Sequence, residues 1–468
     1  MSRDARFASL AQLARPEIVS AIAAIVESGT DAELHRINVR DFAAARDLPL
    51  DPVVDTFVHA SKLGLFDMSW NLLCPGCGGL LDASAGVRNV RASYDCNLCA
   101  TAYTPTLDDM VEVSFTVSPS VRRIRQHDPD QLSPHEYYRE MFFNQGLVVP
   151  GGDVWSTFMS DVSLEAEAIA PHEKVVLSTT LPPQFIIVFD PITHATTFID
   201  VKGEPTKERR DVSIAFQFGT RSATRLEMAP GPVRITLHNT TDRRIVPGVF
   251  IAGDKFHDLF HHRRTFFTAK HLLSNQTFRD VYRTDTLAVD QKLAISNLTI
   301  LFTDLKSSTE LYERVGDLVA YDLVQKHFRV LAEVVRAEGG AVVKTIGDAI
   351  MATFPTPERG LGAALGMRDA MLSFNRSTDR DDLLVKIGLH AGPCLAVTLN
   401  DRLDYFGSTV NIAARVQGLA SEQSVLTTDP VITNAAVKSL MEARGLGASA
   451  QRAQLKGIAD EVTVYEIR

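Results

Sequence analysis

A mostly apolar run that ends in a carboxylate constrains the fold of the C-terminal part of the chain. Residues 298–302 predict a buried strand, and Asp304 follows at the carboxyl end of that strand. A Ser-Ser-Thr cluster at 307–309 then opens a predicted helix. Carboxylates are ligands that Mg²⁺ prefers, and the unpaired N–H groups of a helix start favour anions. The stretch therefore indicates a site for a cation and phosphates, although the same pattern also occurs in many α/β proteins without one.

Composition excludes several classes of protein. The chain has 468 residues, of which 45% are hydrophobic and 22% are charged, as is typical of a globular protein with several domains. A net charge of −9 argues against a chain-wide surface for nucleic acid or anionic membranes. No window approaches the roughly 20 apolar residues of a membrane-spanning helix, and the N-terminus lacks the apolar core of a signal peptide. We therefore expect a cytoplasmic protein without a membrane partner.

Residues 1–70 predict a small helical domain. Ile18, Ile22 and Val26 share one face of a helix, and shorter helical segments follow before a strand-like stretch. This order resembles a winged helix-turn-helix, which often binds DNA. The candidate second helix, however, carries only His59 and Lys62 against two acidic residues. We therefore favour an interaction or packing module over a nucleic-acid partner.

Four of the five cysteines form two C-x-x-C pairs, Cys74 with Cys77 and Cys96 with Cys99, eighteen residues apart. This spacing is typical of a four-thiolate zinc ribbon, in which each short turn directs two sulfurs at one tetrahedral ion. A closed sulfur shell predicts a structural Zn²⁺ that stabilises a domain at 71–109. Unrelated buried cysteines and a redox dithiol are the alternatives, and the spacing does not distinguish zinc from iron.

Residues 110–268 contain short β-rich runs separated by Pro and Gly clusters, which predicts an antiparallel β-sandwich. His257, His261 and His262 could share a metal, but they lack a nearby carboxylate, so we interpret them as a basic exposed face. We expect a regulatory domain that receives an unidentified ligand or protein. Residues 269–296 would be the linker that transmits the signal.

A second acidic residue, Asp348, lies in the segment 341–354. The pattern of this segment predicts a β-hairpin with Gly347 and Asp348 at its turn. If this hairpin lies beside the first strand, Asp304 and Asp348 converge. Two carboxylates are what a two-metal site needs in order to hold ions about 3.5–4 Å apart. Turn capping is the alternative for each aspartate taken alone.

Further along the chain, Asp404 is predicted to lie in a turn before a helix. Asn411 and Arg415 on that helix are four residues apart and project from one face. An amide and a guanidinium so placed could hold a ribose and a phosphoryl group. A solvated helix face is the alternative interpretation.

Four segments in order resemble the successive motifs of the class III adenylyl/guanylyl cyclase catalytic domain: FTDLKSST, VVKTIGDAIMATF, LDYFGSTVNIAARV and LKGIADEVTVYEI. The resemblance implies that residues 297–468 form a ferredoxin-like α/β sheet wrapped by helices. The whole chain is then an α+β multidomain protein, with a winged-helix-like domain, a zinc ribbon and a β-sandwich before the cyclase domain. That upstream order loosely resembles the region before some bacterial cyclase domains, which supports a regulatory role only.

The resemblance also implies roles for single residues and for two Mg²⁺ or Mn²⁺ ions in each site. By motif, they are Asp304 and Asp348 as metal ligands, Lys344 and Asp404 as the base-recognising pair, Asn411 and Arg415 as the transition-state pair, and Lys456 as the triphosphate-binding lysine. In the family, the metal aspartates belong to one subunit and the other residues to its partner. Because this chain carries both halves, a head-to-tail homodimer with two equivalent sites is implied.

The predicted base contacts favour ATP as the substrate. Adenine offers an acceptor at N1 and a donor at N6, which Lys344 and Asp404 complement, whereas guanine reverses both groups. The expected activity is conversion of ATP to 3′,5′-cyclic AMP and pyrophosphate, regulated by the N-terminal region. Two alternatives stay open: a guanylyl cyclase, and a non-enzymatic signalling protein that senses nucleotide or binds DNA.

Overall fold

The computed structural model describes two compact units of the chain. The described residues are 1–152, 154–219, 223–283, 287–288, 291–305, 308–458 and 460–468, without the side chains of residues 308 and 309. The N-terminal unit consists of Met1–Ala85, Val90–Pro105 and Met110–Phe267. The C-terminal unit consists of Gly86–Asn89, Thr106–Asp109 and Thr268–Arg468. Among the described residues, no helix of either unit combines the length and the apolar character needed to cross a membrane.

The N-terminal unit mixes helices with several small sheets. Its helices are α1 (Arg3–Leu10), α2 (Pro16–Ser28), α3 (Val39–Ala44), α4 (Leu50–Lys62), α5 (Pro134–Tyr137), α6 (Trp155–Val162) and α7 (Asp254–His261). Its strands are β1 (Phe66–Leu73), β2 (Leu80–Ser84), β3 (Tyr94–Cys96), β4 (Thr101–Tyr103), β5 (Val111–Val117), β6 (Ser163–Ala166), β7 (Lys174–Leu181), β8 (Phe185–Phe189), β9 (Thr196–Val201), β10 (Arg210–Phe216), β11 (Thr224–Met228), β12 (Gly231–Asn239) and β13 (Gly248–Ile251). A π-helical turn, Tyr138–Phe142, continues α5.

The first sheet of this unit has the strand order β2-β1-β5 and packs against α4. Phe57 of α4 contacts Phe66 of β1 and Phe115 of β5, with ring centroids 5.2 Å apart in both pairs. The sequence pattern assigns β5 to the sandwich, but β5 pairs antiparallel with β1 instead. That assignment is wrong because apolar periodicity shows which face of a strand is buried and does not identify its partner strand. The winged-helix-like interpretation stays a prediction.

Two further sheets, β10-β12-β7 and β11-β9-β8-β13-β6, share one apolar core. Ile235 and Leu237 of β12 and Ile186 and Val188 of β8 are fully buried in it. The strands are not all antiparallel as predicted, because β10 pairs parallel with β12 and β11 pairs parallel with β9. The spacing of strands along a sequence does not report their direction, since a parallel pair requires only a longer connection.

The C-terminal unit has longer helices and one large sheet. Its helices are α8 (Ala269–Leu273), α9 (Gln276–Val281), α10 (Ser308–Val315), α11 (Asp317–Ala337), α12 (Pro357–Ser377), α13 (Ser408–Gly418), α14 (Asp429–Ile432) and α15 (Ala435–Arg444). Its strands are β14 (Leu293–Leu305), β15 (Ala341–Ile346), β16 (Ala349–Phe354), β17 (Val385–Leu399), β18 (Arg402–Phe406), β19 (Val425–Thr428), β20 (Ala448–Ala453) and β21 (Val462–Ile467).

The large sheet has the order β15-β16-β14-β17-β19-β21-β20, and β18 pairs with β17. Its first four strands, with α10, α11 and α12, follow the βαββαβ arrangement of a ferredoxin-like unit. The apolar pattern of the sequence predicts two strands here, at 384–390 and 395–399, but β17 is one continuous strand. The register shift between Ile295 and Leu298 of β14 lies opposite Pro393, which has no N–H to donate.

The segment predicted as a linker, 269–296, folds as part of the C-terminal unit. It forms α8 and α9, and its last residues belong to β14, which begins at Leu293. Leu293 and Ile295 are buried at 2% and 1% exposure, so the strand alternation extends back beyond the apolar run at 298–302. Phe278 of α9 is also buried. These buried apolar residues make the segment part of the C-terminal unit.

Gly388 of β17 allows α13 to approach the sheet closely, and this leads to a prediction. A Cβ atom at position 388 would lie 2.1 Å from the backbone N of Gln417. We expect Gly388→Ala to push α13 outward and to lower the free energy of unfolding by about 1–3 kcal/mol, the usual cost of overpacking. Urea denaturation followed by far-ultraviolet circular dichroism measures this change.

Gly418→Ala is the matched control, because position 418 lies at the end of the same helix and a Cβ there meets no atom within 4 Å. Its midpoint should equal or exceed that of the unchanged chain, because alanine is a better helix former than glycine. Equal stability of both variants would show that α13 does not depend on Gly388.

Candidate functional site

Four cysteine sulfurs meet in the N-terminal unit. The Sγ atoms of Cys74, Cys77, Cys96 and Cys99 all lie within 4.8 Å of one another. Cys74 and Cys77 occupy the turn between β1 and β2, and Cys96 and Cys99 flank the turn between β3 and β4. Each short turn thus contributes two sulfurs to one cluster.

The spacing of the sulfurs fits a tetrahedral metal ion. Cys74 Sγ lies 3.7 Å from Cys99 Sγ, and Cys77 Sγ lies 3.7 Å from Cys96 Sγ. A tetrahedron with metal–sulfur bonds of about 2.3 Å has edges of about 3.8 Å. Hydrogen bonds from the neighbouring thiols, first that of Cys77, hold the pKa of Cys74 below its usual range. The hydrogen bond with Cys74 raises the pKa of Cys77 in turn, so the cluster favours a thiolate at Cys74, the form that binds metals.

Arg263 holds the first cysteine turn in place. Its Nη2 donates hydrogen bonds to the carbonyl oxygens of Pro75 and Gly76 at 2.9 and 2.6 Å. A Cβ on Gly76 would lie 3.0 Å from Cys99 Sγ, so the glycine leaves room for the cluster. Sequence reasoning missed Arg263, because the contact spans 187 residues and involves backbone carbonyls that no motif marks.

Three histidines lie shortly before Arg263 in the chain. His257, His261 and His262 are exposed, as expected for a basic face. Of the predicted Ser-Ser-Thr cluster at 307–309, residue 307 and the side chains of residues 308 and 309 lie outside the described residues.

Asp304 and Asp348 lie at the same end of the large sheet. Asp304 is near the end of β14, and Asp348 lies in the turn between β15 and β16. In the antiparallel register of β14 with β16, Phe302 pairs with Met351, so the strand end and the turn are adjacent. The β-hairpin that the sequence predicts around Asp348 is present. Sheet order thus brings the two carboxylates together.

The two carboxylates form a donor set for hard cations. Burial, and secondly the charge of Asp348, raise the pKa of Asp304. Asp348 Oδ2 is buried and has no hydrogen-bond partner among the described residues. Two neighbouring carboxylates, one of them with an unpartnered oxygen, fit divalent ions such as Mg²⁺ or Mn²⁺.

Lys344 and Asp404 contact each other, with Lys344 Nζ 2.5 Å from Asp404 Oδ2. Asp404 lies within strand β18 and not in a turn, so that part of the prediction is wrong. The turn comes earlier, at Asn400 and Asp401, whose φ angles of 50° and 55° suit a tight hairpin. Asp404 is 5% exposed, and its Oδ1 accepts a hydrogen bond from the backbone N–H of Tyr405. The carboxylate is therefore held in one orientation.

Asn411 and Arg415 lie one turn apart on α13 and are both exposed. Lys456 is exposed in the turn between β20 and β21. Within the part of the chain that the structure describes, no hydrogen bond or ion pair joins these three side chains to Asp304 or Asp348. One copy of the chain thus presents two separate groups of predicted site residues.

Helix α9 contacts both strands that carry the lysine–aspartate pair. Gln276 Oε1 accepts a hydrogen bond from the backbone N–H of Val342 on β15 at 2.8 Å. Arg279 Nη2 donates to the carbonyl of Leu403 on β18 at 2.8 Å. These positioning residues were also missed from sequence, since each reaches a backbone group more than sixty residues away.

Two family models match the chain. Residues 1–280 match a family of unknown function (DUF5939), and residues 291–467 match the adenylate and guanylate cyclase catalytic domain. An adenylate cyclase of Anabaena cylindrica is 28% identical over 186 residues, which cover 36% of this chain and 36% of the relative. An adenylate cyclase of Glutamicibacter nicotianae is 36% identical over 134 residues, which cover 28% of this chain and 30% of the relative. The match spans only about a third of the length of each of these two curated relatives.

Solved structures of cyclases also match. The adenylyl cyclase CyaB from P. aeruginosa is 20% identical, with a TM-score of 0.34, and the match covers 38% of this chain and 96% of that structure. The guanylyl cyclase Cya2 is 21% identical, with a TM-score of 0.32, and the match covers 38% of this chain and 92% of that structure.

The first family match covers 280 of the 468 residues, and the second covers the unit that holds Asp304, Asp348 and the lysine–aspartate pair. The chain therefore belongs to the DUF5939 family of unknown function and carries a class III adenylate and guanylate cyclase catalytic domain in its C-terminal unit.

Proposed function

We propose that this protein is an adenylyl cyclase that converts ATP to 3′,5′-cyclic AMP and pyrophosphate. The contact between Lys344 and Asp404 carries the proposal, because it presents a donor and an acceptor side by side within a cyclase domain. Such a pair complements the N1 acceptor and N6 donor of adenine, whereas guanine has the opposite groups. The pair thus selects ATP over GTP.

Asp304 and Asp348 would hold two Mg²⁺ or Mn²⁺ ions. Burial and, secondly, the charge of Asp348 raise the pKa of Asp304, and Asp348 Oδ2 is buried without a partner among the described residues. Both observations support this role, because a bound cation would stabilise the charged carboxylates and supply the missing partner. When bound, the ions lower the pKa of the ribose 3′ hydroxyl and neutralise the leaving pyrophosphate. The aspartates themselves orient the ions and take no part as nucleophiles.

Arg415 and Asn411 would act on the transition state. The ribose 3′ oxygen attacks the α-phosphorus directly, so no protein nucleophile is required. Arg415 would donate two parallel hydrogen bonds to phosphoryl oxygens as negative charge grows, and Asn411 would orient the ribose. Lys456, which is exposed and carries a mobile point charge, would bind the triphosphate.

A second copy of the chain would complete each site. Asn411 and Arg415 are exposed on α13, away from any described contact with the aspartates of their own chain. Two large apolar residues beside the lysine–aspartate pair, Ile346 and Phe406, are each 51% exposed. Exposed apolar groups next to polar site residues favour a protein interface. We therefore propose a head-to-tail homodimer with two equivalent sites.

The N-terminal unit would regulate this activity and contain a structural Zn²⁺. Four sulfurs complete a tetrahedral shell, which leaves no open coordination position for chemistry. Segment α8–α9 would transmit the signal, because α9 bonds to both strands of the base-recognising pair. A signal carried by this segment would thus shift the backbone of β15 and β18.

The proposed activity predicts that the purified chain forms cyclic AMP from ATP with Mn²⁺ or Mg²⁺, and forms less product from GTP. Asp304→Ala should abolish product, because one ligand of both ions is lost. Arg415→Ala should reduce the rate by roughly 10²–10³, the usual cost of one transition-state donor. Chromatography of the reaction mixture measures both nucleotides. Absence of product at every protein concentration would favour the nucleotide-sensing alternative.

The composite site predicts that two inactive variants restore activity when mixed. Asp348→Ala lacks the metal half of the site, and Arg415→Ala lacks the other half. After subunit exchange, half of the dimers are mixed and each has one intact site of two, so about a quarter of the original activity should return.

A mixture of Asp304→Ala with Asp348→Ala is the control for this experiment. Both variants damage the same half of the site, so no mixed dimer contains an intact site. If the first mixture stays as inactive as the control, the site does not combine residues of two subunits.

The cysteine cluster predicts one Zn²⁺ per chain, released when the thiols are blocked by a mercurial reagent. Arg263→Gln should speed release to a chelator by about tenfold, because groups that orient metal ligands typically change metal affinity by 10–100-fold. A colorimetric chelator measures the release, and the exposed Arg15→Gln serves as the charge-matched control. Folding that survives complete metal removal without loss of thermal stability would contradict a structural role.

A further inference from the structure

A cavity of about 270 Å³ lies within the N-terminal unit, and none of the four clustered cysteines lines it. Helices α2 and α3, the π-helical turn and the segment after α7 contribute its walls. None of the sequence motifs includes this cavity.

Arginine side chains dominate the charge of the cavity. It is lined by four arginines, Arg36, Arg46, Arg139 and Arg264, and by two acidic residues, Glu33 and Asp41. Guanidinium groups are always charged at physiological pH. Glu112, which is not part of the lining, also pairs with Arg36, so the excess is one positive charge.

Two of the four arginines are neutralised by carboxylates. Arg36 Nη2 lies 2.9 Å from Glu112 Oε2, and both side chains are almost completely buried. Arg264 Nη1 lies 3.3 Å from Asp41 Oδ2. The charges of Arg36 and Arg264 are therefore already balanced within the protein.

Arg139 and Arg46 have no carboxylate within ion-pair distance among the described residues. Arg139 donates only a long hydrogen bond, 3.4 Å, to the carbonyl oxygen of Asn144. Burial, and secondly the charge of Arg264, lower the pKa of Arg139, although the neighbouring Glu140 opposes this shift. Arg46 Nη1 donates a hydrogen bond to the carbonyl oxygen of Phe42 at 3.3 Å, and the guanidinium lies over the ring of that residue at 4.1 Å. Two guanidinium groups are thus left with most of their donors unused.

A buried histidine on the same wall uses only one of its ring nitrogens: His35 Nε2 lies 3.1 Å from the carbonyl oxygen of Glu140. His35 is 8% exposed, and its Nδ1 has no hydrogen-bond partner among the described residues. Burial lowers the pKa of His35 to about 3, so the ring is neutral and adds no charge. The Nε donor of Arg36 is also buried and has no hydrogen-bond partner among the described residues. Buried polar atoms of this kind normally have partners.

We propose that this cavity binds a small organic oxyanion, a carboxylate or a phosphate ester. Arg139 and Arg46 supply the free guanidinium forks, whose geometry matches two oxygens of either group. Ile25, Ile37 and Phe42 form an apolar wall of the same cavity, so the anion carries an apolar part. This site stands independently of the proposed cyclase activity, because no residue of the catalytic unit takes part.

The test measures binding of three probes to the full-length chain: inorganic phosphate, phenyl phosphate and benzoate. Ionic strength is held constant with chloride, so that general screening is the same in every sample. Both tryptophans, Trp70 and Trp155, belong to the N-terminal unit, so thermal unfolding followed by tryptophan fluorescence reports on this unit. We expect saturable stabilisation by the aromatic anions, with phosphate weaker than phenyl phosphate. Tighter binding of phenyl phosphate assigns a phosphate ester, and tighter binding of benzoate assigns a carboxylate.

Arg139→Gln should weaken binding of the better aromatic probe at least tenfold. Arg123→Gln is the matched control, because Arg123 is an exposed arginine of the same unit and does not line the cavity. The control variant should bind the probe with the affinity of the unchanged chain. If Arg139→Gln does not fold, Arg46→Gln replaces it with the same expectation. Failure of all three probes to bind, or equal affinity of the cavity and control variants, would overturn the proposal.

Discussion

The C-terminal unit is organised around two carboxylates that repel each other. Asp304 and Asp348 are brought together because β14 lies inside the sheet, paired with β16 on one side and β17 on the other. Apolar residues along these strands, such as Leu301 and Ile350, are buried in a single core that also includes α11 and α12. Burial of this core holds the strand end and the hairpin turn together against the repulsion of the two charges. A pair of divalent cations would relieve that repulsion.

The N-terminal unit depends on polar groups in a different way. Glu112, which is 1% exposed, accepts hydrogen bonds from Arg36, Asn71 and Asn144 at 2.9, 2.9 and 2.6 Å. A buried carboxylate is tolerated when its oxygens are paired in this way. This network joins the first sheet to the segments that line the arginine cavity, while the cysteine cluster joins two hairpin turns. The unit thus combines separate apolar cores with two polar centres.

Local patterns in the sequence predicted elements well where one residue type decides the local geometry. The hairpin around Asp348 follows from Gly347, whose φ of 64° suits a glycine, between two apolar strands. The convergence of four cysteines follows from two short C-x-x-C turns. Partner choice was not predictable in the same way. Strand β5 pairs with β1, and Asp404 lies in a strand, because pairing depends on packing between residues distant in the sequence.

By itself, the sequence determined the hairpin around Asp348 and the convergence of the four cysteines, because spacing and residue type act over a few neighbouring positions. The residues proposed for catalysis followed from the resemblance of four motifs to the cyclase family. Only the tertiary structure revealed that α9 bonds to the strands of the lysine–aspartate pair, that Arg263 holds a cysteine turn, and that arginines from four separate segments share one cavity. These contacts join side chains to backbone groups or to one another across long stretches of chain. No periodicity records such contacts, since they arise only when the cores of the two units form.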